Sequence, residues 1–515
     1  MAERRGWIEL AVVLGSGVVF LDGTIVNVAL ETIGQELPSA ALGRLEGLTY
    51  INSGYLAILA ALLILAGAVG DRYGRRRTFG IGMAAFGAAS VLCGLAPTLE
   101  ALVVARLLQG AAGAFLVPGA LAILTATFAG EERGRAIGLW AAATSAMTLF
   151  GPLVGGVLVQ DVSWRAAFLI NVPLVLVGLY ALRFVPESRD EDAEGRFDIL
   201  GAVVVAVAVG GLAFGATRGQ QSQWQDPVAF AALGVGLLAT AALPFLMAYR
   251  SHPLVPLELF RSRDFSVINL STFVIYGALY MNLTFQTLFL QGTLGYTPLG
   301  SGLATLPVDI FLVLLSTPAG RFAARLGARR FLVMGPGAMA VGLLWLARVP
   351  PDSMAWVADI ASPASLIPPA DYLVDVLPAE IVFGLGLAVM VAPLTTALMA
   401  SIPVRRAGIG SAINNAVSRV GAPLVSAVLF IAVTAAFYPA LEAQVPGLDT
   451  SDPAVREQVQ PLTRPDPTLP QELIDAATTA STDAFHLAML VAAGLLASGA
   501  VINGVGLRPR RHEPE

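Results

Sequence analysis

Lysine is missing altogether: all 31 basic residues are arginine. The glycine-rich phosphate loop that ends in Gly-Lys-Ser/Thr therefore cannot be written, which argues against ATP hydrolysis within this chain. The single cysteine, Cys93, lies inside an apolar run. It excludes an intrachain disulfide or a multi-cysteine metal site and reads as a small buried hydrophobe. Only three histidines occur, with no HExxH, so no metal is expected. Charge is scarce, 13% of residues, against roughly a quarter in soluble domains. No stretch resembles a nucleic-acid module, and no nucleic-acid partner is expected. No loop is long enough for a compact soluble domain, which argues against a membrane enzyme or receptor.

What is present is apolar. Of 515 residues 56% are hydrophobic, and the mean hydropathy is +0.74. A water-soluble globule of this length cannot hide that much apolar surface, so lipid is the solvent that fits. A bilayer core of about 30 Å takes roughly 20 apolar residues per helix. The apolar runs predict fourteen spans, near 7–30, 44–70, 78–96, 98–128, 133–160, 164–184, 198–218, 226–249, 265–292, 299–320, 330–349, 378–401, 407–437 and 481–507. Backbone groups in lipid must be satisfied within the segment, so the fold class is all-α. Only Arg44, Arg165, Arg218, Arg348, Arg456 and Arg464 fall on one side of this arrangement. The remaining arginines, apart from Arg106 and Arg419 inside spans, fall on the other, with both termini, and the positive-inside rule makes that side cytoplasmic. Long loops near 350–377 and 438–480 then face outward, and the second carries a short amphipathic stretch near 470–480.

The chain repeats itself. GAVGDRYGRRR from Gly67 and GRFAARLGARR from Gly320 share glycines and arginines at one constant offset. PLVGGVL from Pro152 is echoed by PLVSAVL from Pro423. The pattern predicts six-helix halves at 1–190 and 263–515, with two helices inserted between them over 191–262. Parallel halves of this kind enclose a central substrate site near the midplane.

Several side chains are costly in lipid and so are functional candidates. Asp22 sits mid-helix and can load and release a proton if it faces a cavity; a structural hydrogen bond is the alternative. Arg106 cannot readily lose its proton and must meet acceptors or a carboxylate. Read by itself it is a fixed ion pair or a hydrogen-bond anchor, with Gln109 beside it at i+3. Asp309 is a second titrating candidate or a contact for a cationic substrate, with Arg419 a possible partner. Asn27, Gln109, Asn282 and Gln286 are amides that can line a substrate cavity. Gly67, Asp71, Arg72, Gly74, Arg76 and Arg77 read as a gating latch. There Gly74 permits a tight turn, and Asp71 pairs with arginine or caps a helix N-terminus near the fifth span. Gly151, Pro152, Gly155 and Gly156 allow close helix approach, with proline bending the helix.

These motifs together resemble the major facilitator superfamily. GAVGDRYGRRR resembles its loop between the second and third helices. LDGTIVNVAL from Leu21, LVVARLLQGAAGA from Leu102 and GPLVGG from Gly151 resemble the first-, fourth- and fifth-helix motifs of its fourteen-span drug:proton antiporter branch. The resemblance covers nearly the whole chain and is specific for the family and fairly so for the branch. It departs at Glu31, where the first-helix motif has proline, and at Thr148 and Phe150, where small residues precede the fifth-helix motif. It implies a monomeric multi-pass carrier in the cell membrane that exports amphipathic, cationic compounds in exchange for protons, with no cofactor. By resemblance Arg106 takes part in proton transfer, which with the titrating candidates Asp22 and Asp309 makes the proton-coupling set. Export of an endogenous lipid, siderophore or metabolite by the same mechanics is the alternative.

Overall fold

In the computed structural model the described residues are 2–508, apart from 39–43, 191–196, 222–225, 251–252, 360–361, 446, 464 and 467. Some helical side chains, those of Asn27, Arg44 and Pro152 among them, also lie outside the described part, as does Arg464. The described residues form helices and turns with one isolated β-bridge, Asp359 to Ser362.

The first part of the chain builds α1 (Ala2–Glu36), α2 (Arg44–Tyr73), α3 (Arg75–Gly94), α4 (Leu99–Gly113), α5 (Leu116–Thr127), α6 (Gly130–Asp161) and α7 (Asn171–Ala181). Next come α8 (Ile199–Gln221) and α9 (Pro227–Tyr249). The last part builds α10 (Arg263–Leu288), α11 (Pro298–Leu326), α12 (Ala328–Leu346), α13 (Leu377–Ala400), α14 (Ala407–Gln444) and α15 (Gln471–Gly506). Among the described residues twelve helical segments are long and apolar enough to cross a membrane, α4 and α5 counting as one. The other two predicted spans, near 133–160 and 330–349, are helices α6 and α12, which fall outside that set. The 19-residue α12 has Arg329 and Arg330 in its first turn, which lowers its mean hydropathy, and several side chains of α6 lie outside the described residues. The stretch near 470–480 is no separate helix; it is the opening of α15.

Small residues decide where the helices touch. Helix α2 packs on α14, and α6 on α11. At the first crossing a Cβ on Gly67 would lie 2.5 Å from the Gly408 carbonyl oxygen. At the second a Cβ on Gly320 would lie 2.5 Å from the Gly134 carbonyl oxygen. The repeat glycines Gly67 and Gly320 thus make matching backbone crossings at one end of the bundle, where any larger residue would force the helices apart. The same end carries ion pairs Arg135–Glu9 at 2.5 Å and Arg325–Glu131 at 2.8 Å. Helix α8 lies against α2, α14 and α9. Asp226 caps α9 by accepting from the Val228 N–H at 2.8 Å. That N–H and Arg218 hold its carboxyl below the usual carboxylate range.

The loop after α12 folds back over the opposite end. Trp356 is buried and stacks obliquely on Tyr372, and a Cβ on Gly300 would meet its carbonyl oxygen at 2.0 Å. Leu462 likewise lies over Gly292, and its N–H donates to Ser481. The two long loops are therefore packed caps on the ends of α10 and α11, beyond the linkers the sequence describes.

Candidate functional site

Asp22 is fully buried in the middle of α1. A carboxylate without water is destabilised unless several donors converge on it, and here three do. The Arg106 Nη1 donates to Oδ2 at 2.5 Å, Gln109 Nε2 to Oδ1 at 2.9 Å and Asn171 Nδ2 to Oδ1 at 3.0 Å. Arg106 and Gln109 come from one face of α4 at i and i+3, and the Arg106 Nη1 also donates to the Gln109 Oε1 at 2.7 Å. The Arg106 Nε donates to the Ile51 carbonyl of α2 at 3.0 Å. Ser90 of α3 accepts from Gln109 and Asn171. Under the guanidinium lies the Tyr55 ring, 4.0 Å from its carbon, a cation–π contact in a dry setting. Three buried atoms of the site have no hydrogen-bond partner among the described residues: Arg106 Nη2, Asn171 Oδ1 and the Tyr55 hydroxyl.

Both sequence readings of Arg106 concern the same object, an enclosed Asp22–Arg106 ion pair. Gln109, expected among the cavity amides, is fully buried in this network. Asn171, Ser90 and Tyr55 were missed. Nothing local marks them, because each reaches the site only through helix packing.

The glycines of α6 touch the same turn of α1. A Cβ on Gly151 would fall 1.9 Å from Thr24 Oγ1 and 3.3 Å from the Leu21 carbonyl oxygen. One on Gly155 would lie 3.1 Å from Ile25. Gly156 has nothing within 4 Å, so it takes no part in this contact. The side chains of Pro152 and Asn27 lie outside the described residues.

Asp309 does not join Asp22. It is half-buried on α11 and forms no ion pair with Arg419 among the described residues. The neighbouring acid is Glu380, buried in the first turn of α13 and electrostatically coupled to Asp309. Gln286 Nε2 donates to Glu380 at 2.5 Å, and Asn282 Nδ2 donates to Gln286 at 3.3 Å. Asn282 and Gln286 thus face a second acid cluster. Glu380 is legible in the sequence as an acid near the start of an apolar span.

The latch is built differently from its expectation. Asp71 accepts from the N–H groups of Gly408 at 3.0 Å and Ile409 at 2.8 Å, capping α14 and not a helix near the fifth span. Its arginine is Arg75, whose Nε and Nη2 donate to Oδ1 at 2.9 and 2.8 Å, and whose Nη2 also reaches the carbonyls of Val404 and Arg405. The i+4 spacing from Asp71 was the signal for Arg75. Arg72 lies over the Tyr73 ring. Arg76 and Arg77 take part through their backbone N–H groups, which donate to Glu187. Gly74 adopts φ 107°, and a Cβ there would meet the Glu187 carboxylate at 2.9 Å. Only glycine suits both demands.

An apolar cavity of about 970 Å³ lies elsewhere, between α2, α4, α8 and α9. It has almost no polar lining and no contact with either acid cluster.

The chain matches the Major Facilitator Superfamily profile over residues 12–426. It is 34% identical over 443 residues to "Multidrug resistance protein Stp" of Mycobacterium tuberculosis, covering 85% of this chain and 78% of that one. It is 33% identical over 425 residues to the "Tetracenomycin C resistance and export protein" of Streptomyces glaucescens, covering 82% and 74%. The fold is similar to that of the human organic anion transporter MFSD10, with TM-score 0.59 at 13% identity over 97% of this chain and 98% of that one. It is also similar to that of the proton:xylose symporter XylE, with TM-score 0.55 at 16% identity over 96% and 95%. Apolar helices, paired glycine crossings and relatives that match most of its length lead to one assignment: this chain is a multi-pass membrane transporter, and it belongs to the major facilitator superfamily.

Proposed function

We propose that the chain is a proton-coupled antiporter that exports amphipathic drug-like compounds by alternating access between two six-helix halves. The observation that carries this reading is the enclosed Asp22–Arg106 pair with its ring of amides. A proton on Asp22 removes the charge that holds Arg106, so the guanidinium leans on Gln109 and Ile51 alone. The contact between α1, α4 and α2 then loosens, and one state gains over the other. Gly151 and Gly155 press α6 onto the same turn of α1 that carries Asp22. The relatives' names, multidrug resistance and antibiotic resistance and export, support a drug-like cargo.

The arginine-rich end is cytoplasmic in this reading, with both termini. The Asp71–Arg75 cap on α14 and the Arg325–Glu131 pair lie at that end and would hold it shut in the outward-open state. Asp309 and Glu380, acids without a cation beside them among the described residues, are the groups that would draw a substrate cation. Residues 1–190 and 263–515 are the moving halves, and 191–262 supplies α8 and α9 as a side pair. The carrier works as a monomer and needs no cofactor beyond the proton.

The test is substrate-induced proton flux in proteoliposomes, with ethidium among the compounds. Compound-dependent proton movement with the native chain, abolished in Asp22→Asn, is the expected outcome. Intact pH-driven efflux in that variant would refute the assignment of Asp22.

A further inference from the structure

Arg419 is a charge inside the bundle that nothing described above uses. It is half-buried in α14 and has no ion pair or hydrogen bond among the described residues. From Ala407 it lies 419 − 407 = 12 residues along the helix, about 18 Å at 1.5 Å per residue. That is deep within a bilayer core of about 30 Å. Its face is set by the glycine crossing: Gly408 and Ala412 both press on Gly67 of α2. Steps of four, three and four run from Gly408 through Ala412 and Asn415 to Arg419, one stripe of an α-helix. Arg419 therefore lies on the stripe that α14 turns toward the opposite half.

Helix α2 runs antiparallel to α14 from that crossing. Counting 67 − 55 = 12 residues back from Gly67 reaches Tyr55, level with Arg419 at 419 − 408 = 11 residues from Gly408. Tyr55 is fully buried, and its hydroxyl has no hydrogen-bond partner among the described residues. The Arg419 guanidinium lies within electrostatic reach of that hydroxyl. Two donors from opposite halves thus stand at one depth without an acceptor among the described residues. An arginine cannot shed its proton to escape this position, and an intramembrane charge without a partner is expensive to keep.

We infer that Arg419 is a substrate-binding residue that takes an anionic, strongly accepting group of the exported compound, a carboxylate or phenolate, in the space between the halves. This rests on the export function proposed above and adds the chemistry of its cargo: an amphiphile bearing an acidic group. The guanidinium repels a cation from this position, so any cationic group of the same compound seats by Asp309. A bound anion also supplies the acceptor that the Tyr55 hydroxyl lacks. The Tyr55 ring carries the Arg106 guanidinium on its face, which links the cargo to the Asp22 pair through one side chain.

The test uses full-length protein in detergent, with fluorescein as the anionic probe and ethidium as the cationic one, each followed by fluorescence anisotropy. The native chain should bind fluorescein saturably. Arg419→Gln should weaken that binding at least tenfold, Arg419→Lys less than threefold, and neither should change ethidium binding. Tyr55→Phe, which deletes only an unpartnered hydroxyl, should melt like the native chain and weaken fluorescein about threefold. It decides the matter if Arg419→Gln does not fold. Absent saturable fluorescein binding, an unchanged Kd in Arg419→Gln, or in Tyr55→Phe where Arg419→Gln does not fold, or equal weakening of both dyes overturns the inference. No proton gradient is involved, so loss of pH-driven transport with fluorescein binding intact counts against the antiport reading alone.

Discussion

At the scale of single residues, Asp22 and Arg106 are mutually dependent. Each is fully buried, so removing one leaves the other as an uncompensated charge. Such losses cost about 3–5 kcal/mol. Arg106→Ala should therefore lower the melting temperature of the detergent-solubilised protein more than Asp22→Asn. The asparagine oxygen in the latter still accepts from Gln109 and Asn171. Equal melting of both variants with the native chain would mean that the pair is not formed. Asp22, Arg106 and Gln109 were legible in the sequence because charged or amide groups within an apolar run stand out. Asn171 and Ser90 were not, because a polar residue at a helix start or on a small-residue face is ordinary. Arg75 was legible in principle by its i+4 spacing, and its neighbours in the arginine run drew the reading instead.

At the scale of helices, glycine is informative only where a neighbour is close. Gly151→Ala drives a methyl group into Thr24 and toward the Leu21 carbonyl, and overpacking of this kind costs about 1–3 kcal/mol. Gly156→Ala meets nothing and should stay within about 0.5 kcal/mol of the native chain. Thermal melts of the two side by side check this contact. The motif PLVGGVL named both glycines alike; only packing separates them. Asp71→Asn removes the negative charge from the α14 N-terminus and from Arg75. It should slow turnover severalfold with substrate affinity near native, as initial rates against concentration would show. A pure loss of affinity would count against a gating role. The helix that Asp71 caps was beyond the sequence, because it lies 408 − 71 = 337 residues away.

At the scale of the molecule, the two glycine crossings and the ion pairs beside them close one end of the bundle. Glu131→Cys with Arg325→Cys, oxidised across the α6–α11 crossing, should arrest transport, with recovery on reduction. Cys93 is buried and should stay silent in that experiment. Uninterrupted transport in the cross-linked protein would mean that this end does not open. The sequence by itself determined that the chain is helical, lives in lipid and repeats itself. Hydrophobic run length, arginine placement and glycine spacing are local, additive signals that survive without coordinates. Tertiary structure alone decided which polar groups meet. It joined Asp22 to Asn171, sent Asp71 to α14, grouped Asp309 with Glu380 and set Arg419 at the level of Tyr55 with no ion pair among the described residues. The reason is physical: a hydrogen bond is made over about 3 Å, and helices that supply its two ends are brought together only by packing of the whole bundle.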